Sequence, residues 1–199
     1  SIYWHMVAKL AVAVQWCRGR TTEADVAGEL AAINHDIRDG LGFRKHPSLQ
    51  GAFPTDPYSH TPAHLGALQP GMTGQAKEQV LTRFGELGVE VVDGRARFDP
   101  SLLPPEEFLN EPREAELMNV DGDVRALRVT AGSLAFTYCG VPVVYRLADE
   151  VGIELESADG RIEHIAGSEL DRSRSKALFE RRGAYRRVTV DVRRASLSG

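Results

Sequence analysis

The chain has 199 residues, which is room for one large domain or two small ones. With 42% hydrophobic and 26% charged residues it reads as an ordinary folding chain and not a disordered one. A net charge of −4 excludes the bulk basic field that draws proteins to nucleic acid. Cys17 and Cys139 are the only cysteines and form no CxxC pair, which excludes a disulfide scaffold or zinc ribbon and suits a reducing compartment. The most apolar stretch, Ile2 to Trp16, is interrupted by His5, Lys9 and Gln15 and is too short to span a bilayer. The expectation is a soluble, cytoplasmic protein with no membrane partner.

Ser1–Arg18 reads as a first helix. Ile2, Met6, Leu10, Ala13 and Cys17 make one stripe, and Tyr3, Val7, Val14 and Trp16 carry apolar surface around most of the cylinder. A helix apolar on nearly all sides is expected to be buried among others. Because it stands at the very start, the expectation is a segment cut from a longer chain. Thr22 then supplies an N-cap, and Val26, Leu30, Ile33 and Ile37 recur at helical spacing up to Gly40. The short link between these two helices predicts an antiparallel hairpin.

His46 to Ala76 is unusual. Its 31 residues hold five prolines, four glycines and three histidines, with Asp56 as the one charged side chain. Loops this long are uncommon and often functional. A third helix is predicted from Thr73 or Gly74 to Leu87, with Val80, Leu81, Phe84 and Leu87 as its apolar face and Gly88 as its stop. The apolar period then changes to 2. Val89–Val92 and Arg95–Phe98 flank Asp93-Gly94, a favoured two-residue hairpin turn. Further strands are expected at Val124–Thr130, Leu134–Cys139, Val143–Arg146, Gly152–Ser157, Arg161–Ile165 and Tyr185–Val192. The sequence therefore predicts an α+β chain. Antiparallel helices occupy residues 1–88, with a Pro/Gly loop at 41–72, and an antiparallel β-sandwich fills 89–199.

If helices one and three run side by side, both N-termini and the loop share one end of the molecule. That end would gather Tyr3, Trp4 and His5, then Asp56, Tyr58, His60 and His64, then Gln69, Thr73 and Gln75. Aromatic faces beside amides, imidazoles and a carboxylate suit a polyhydroxylated ligand, and helix N-termini offer free N–H groups to anions. His60 and His64 have the i, i+4 spacing of a metal pair, but Pro62 lies between them and no third ligand is evident, so no metal and no other cofactor is expected. The basic run from Arg172 to Arg187 is interspersed with Glu169, Asp171 and Glu180 and reads as solvated surface, with no nucleic-acid partner.

The order of a buried helix opening IYWHM, an outer helix, a long Pro/Gly loop and a last helix leading into GVEVVDGRARFDPSLLPPEEF resembles the C-terminal end of the (α/α)6-toroid glycoside hydrolases and sugar phosphorylases. GRARFDP at Gly94–Pro100 followed by Leu102-Leu103-Pro104 is similar to the lead into their jelly-roll-like tail. Phe136-Thr137-Tyr138, Val143-Val144-Tyr145 and Ile153-Glu154-Leu155 look like its succeeding strands. The resemblance implies the last part of a six-hairpin barrel whose inner helices aim their N-termini at a sugar. It also implies a carboxylic acid that protonates the leaving oxygen, paired with a second carboxylate or a phosphate. Asp56 is the candidate catalytic residue here, and the aromatic, histidine, threonine and glutamine side chains named above are substrate-binding candidates. On this reading the segment alone is inactive, its partner is a carbohydrate, and the exposed face of helix one would drive self-association. The alternative is a stand-alone, non-catalytic module for a glycan or a protein.

Overall fold

The computed structural model describes the backbone of residues 2–41 and 73–198 and the side chains of 6–41 and 77–198. The chain is α+β and divides into two compact units, 1–85 and 86–199.

In the first unit α1 (Ile2–Arg18) and α2 (Ala24–Leu41) are joined by only five residues, 19–23, and pack on each other. The Thr21 hydroxyl, not Thr22, accepts the Glu23 N–H at the start of α2. The third helix is α3 (Thr73–Glu86). The packing face of α1 differs from the one its large residues suggest. Ala8, Ala11 and Val14 are buried, while Met6 and Leu10 are 61% and 52% exposed and Ala13 and Cys17 also face water. The expectation of a helix buried on nearly all sides is thereby corrected. Small residues let α1 come close to α2, and closeness, not side-chain size, selects the inner face. On α2 the inner residues are Ala31, Asn34 and Arg38, whereas Val26 and Ile33 of the expected stripe are exposed.

The second unit carries nine strands among the described residues. Hairpin β1 (Val89–Val92) and β2 (Arg95–Phe98) turns at Asp93-Gly94, where both φ angles are positive, 50° and 74°. That geometry matches the twist of the paired strands. Gly88, at φ 64°, opens this segment because the Asp99 carbonyl occupies the space a Cβ would need. A second hairpin joins β3 (Arg113–Met118) to β4 (Val124–Val129). The remaining strands are β5 (Ser133–Tyr138), β6 (Val141–Leu147), β7 (Gly152–Ser157), β8 (Ile162–Ala166) and β9 (Tyr185–Val192), in spatial order β5-β6-β9-β7-β8. Every pairing is antiparallel except β6 with β9. The helix α4 (Arg172–Phe179) precedes β9 and brings it back into the sheet between β6 and β7.

The core of this unit is dense. Phe98, Leu103, Val143, Tyr145, Ile153, Leu155, Leu170, Leu178, Val188 and Val190 are shut from water. Each such side chain contributes about 1.5–3 kcal/mol by burial. Tyr145 sits at the centre, edge-on to Phe98 at 6.5 Å and to Phe136 at 5.2 Å between ring centroids. Its hydroxyl donates to the Leu87 carbonyl, and burial holds the phenol well above its ordinary pKa. Ser175 of α4 is equally buried and fully used, accepting the Ala96 N–H at 2.9 Å and donating to the Leu170 carbonyl at 3.1 Å.

Candidate functional site

Two places concentrate polar side chains, one in each unit. In the helical unit the Gln15 carboxamide lies at a junction of α1, α2 and α3. Its Nε2 donates to Asn34 Oδ1 at 3.0 Å and to the Thr82 carbonyl at 3.1 Å. Gly85 makes room for that amide, because a Cβ there would collide with Gln15 Oε1. Asn34 is wholly buried, and its Nδ2 finds no acceptor among the described residues. The Gln15 and Asn34 amides and the buried Arg38 face inward here and can fix orientation through hydrogen bonds.

The sequence-expected site residues fall around this unit as follows. Tyr3, Trp4 and His5 are in the first turn of α1, and Thr73 and Gln75 are in the first turn of α3. Asp56, Tyr58, His60, His64 and Gln69 lie outside the described residues. Gln15 ties the C-terminal half of α1 to the C-terminal half of α3. Among the described residues no group of three or more His, Cys, Asp or Glu could hold a metal ion, and no helix is long and apolar enough to cross a membrane.

The β unit holds a cleft of about 370 Å³, within the range of small-molecule sites. One wall is the β3–β4 hairpin, with Leu117, Arg125 and Leu127; the other is the sheet, with Glu156, Tyr185, Arg186 and Arg187. The hairpin tip is built by Asn119, whose Oδ1 accepts the Asp121 and Asp123 N–H groups at 3.0 and 2.9 Å. Val120 of that tip rests against Gly140, φ 75°, where a Cβ would clash with it. Glycine at this β5–β6 turn therefore sets how closely the hairpin approaches the sheet.

Three ion-pair groups link elements of the β unit. Arg146 on β6 reaches Asp191 on β9 at 2.7 Å and Glu154 on β7 at 3.0 Å, bonds that raise its pKa. Glu169 takes Arg95 and Arg97 at 2.9 and 3.2 Å, and these hydrogen bonds hold its carboxyl below the usual value. Arg174 bridges Glu163 and Asp171 and lowers both, with the Arg174 backbone N–H the leading cause for Asp171. Asp171 is also the N-cap of α4. Cys139, half-buried beside the cleft, has its thiol pushed up by burial against the opposing pull of Arg181, so it is not poised as a nucleophile.

The basic run from Arg172 to Arg187 is largely solvated, as expected: Arg172, Lys176, Arg181, Arg182 and Arg186 are exposed and none of its basic residues is buried, while Arg186 and Arg187 also line the cleft. Arg125 is exposed on β4, in phase with Leu127 and Val129. The cleft itself had no sequence signal, because tertiary approach creates it. No family model matches the chain, and a search of the curated proteins finds no match.

Proposed function

We propose that this chain is the C-terminal segment of a carbohydrate-active enzyme of the toroid type, glycoside hydrolase- or phosphorylase-like, in which α1–α3 form one wall of a sugar site and the β unit is its tail. One observation supports the reading: among the described residues of the helical unit, the larger apolar side chains face outward. Met6, Leu10 and Trp16 on α1, Val26 and Ile33 on α2, and Val80 and Leu81 on α3 are 38–61% exposed, while Gln15, Asn34 and Arg38 point inward. A helix that ends a fold turns its apolar stripe to the core. Stripes facing out on three consecutive helices are what a wall keeps for neighbouring helical hairpins. In this reading Asp56 protonates the leaving oxygen, His60, Gln69 and Gln75 hold hydroxyls, and Tyr3 or Trp4 stacks on a ring.

The test is an oligosaccharide-binding and turnover screen of the longest natural chain containing these residues, beside its Asp56→Asn variant. The expected result is saturable sugar binding, with turnover falling by about 10²–10⁴ in the variant, the range a general acid supplies. A parent that binds no oligosaccharide contradicts the reading. Binding without turnover, equal in both proteins, also contradicts the enzyme and leaves a non-catalytic binding module.

A further inference from the structure

Tyr185, Arg186 and Arg187 are consecutive on β9, yet all three line the same cleft. Successive residues of a regular strand point to opposite faces. The exception has a local cause. Glu156 pairs with Arg187 and Ser157 with Tyr185, so the register slips between them and Arg186 faces no partner across the ladder. Such bulges re-aim side chains and gather at functional sites.

The charges in the cleft are not equivalent. Arg187 is committed to Glu156 at 3.0 Å. Arg125 and Arg186 take part in no ion pair or side-chain hydrogen bond among the described residues, although both stand at the rim of the same concave space. Arg125 stands opposite Leu117 in the β3–β4 register and shares the hairpin face of Leu117 and Leu127. Both guanidinium side chains are exposed, so an anion arriving from solvent meets them without displacing a counter-charge. The remaining carboxylate on the lining, Asp121, belongs to the hairpin tip, and the balance in the cleft is one positive charge. Leu127, Pro142 and the half-buried Tyr185 line the same cleft and offer apolar surface to an uncharged organic body.

We propose that this cleft binds a small phosphate monoester, its oxyanion held by Arg125 and Arg186 and its organic part resting on Leu127, Pro142 and Tyr185. Planar guanidinium forks match phosphate geometry with paired N–H donors. A cleft of about 370 Å³ has room for a compound of monosaccharide size. The inference stands apart from the toroid reading, since it uses only residues of the β unit.

The experiment is a titration of the chain, followed by amide chemical shifts, with glucose 6-phosphate, inorganic phosphate and glucose. The sugar phosphate is expected to bind more tightly than inorganic phosphate, with no saturable response to glucose; any other ranking overturns the proposal. So does the absence of saturation by glucose 6-phosphate at about 10 mM, already weaker than the millimolar affinities of loose complexes. Arg125→Gln and Arg186→Gln are each expected to weaken binding about tenfold, the loss of one charged hydrogen-bond partner. Arg186→Lys, which keeps the charge but not the fork, should fall between. Arg128→Gln, on the opposite face of the same hairpin, should leave affinity unchanged; an equal loss there would reduce the effect to net charge and overturn the site.

Discussion

Leu103, Ile153 and Val188 of the β unit are shut away from water, while Met6, Leu10 and Trp16 of the helical unit, no less apolar, stand more than half exposed. The contrast lies in what faces inward. In the β unit the inner layer is aliphatic and aromatic, and the buried Tyr145 and Ser175 have partners. In the helical unit the described inner layer is Ala8, Ala11, Val14 and Ala31 with Asn34, Arg38 and the half-buried Gln15. A domain that stands on its own buries its apolar stripes. The core of the β unit meets that requirement, although Met118 and Val124 of its second hairpin are exposed; on the helical unit large apolar side chains of all three helices face outward.

Substitutions in the two units can break this contrast. Phe98→Ala should cost about 3–5 kcal/mol in urea unfolding, the range for emptying a packed aromatic site. Leu10→Ser should stay within about 0.5 kcal/mol, as exposed positions do. Equal losses would dissolve the comparison. Tyr145→Phe should cost about 1–3 kcal/mol, because the Leu87 carbonyl is left buried without its donor. Ala11→Leu, on the close-packed face of α1, should cost about 1–3 kcal/mol by overpacking. A neutral result there would mean that α1 and α2 do not meet at that face.

The smallest effect concerns pH. Glu169, Glu163 and Asp171 all have folded pKa values below their ordinary ones, so the unfolded chain takes up protons first as acid is added. Their stabilisation is complete above about pH 5 and is lost as the pH falls through the lowered values. Glu169→Gln should flatten the acid limb of unfolding midpoint against pH, and a steeper limb would contradict the pairing. These groups are exposed, so the change should be slight.

What was legible in the sequence followed local rules. Asp93-Gly94 between alternating residues located the β1–β2 hairpin because the turn chemistry is specific. The helices α1, α2 and α3 were legible from spacing, but their inner faces were not: large residues drew attention to Met6 and Leu10, whereas contact distance favours Ala8 and Ala11. Arg113–Met118 went unread as a strand because Arg, Glu, Ala, Leu and Met favour helix, and only pairing with β4 overrides that preference. The helix α4 was hidden in a run of charges, although Asp171 three residues before Arg174 was an N-cap signal. Of the candidate site, the residues on α1 and α3 were placed on their helices by pattern. The cleft required a bulge, and no composition or period announces one.

The most direct measurement is hydroxyl-radical footprinting of the chain at a dilution where it sediments as a monomer, read residue by residue. The account predicts that Met6, Leu10, Trp16, Val80 and Leu81 label nearly as strongly as in short peptides, while Phe98, Leu103, Tyr145 and Ile153 are protected. Protection of the α1 residues equal to that of Phe98 and Tyr145 would show that the helical stripes already have their cover within this chain, and would contradict the account.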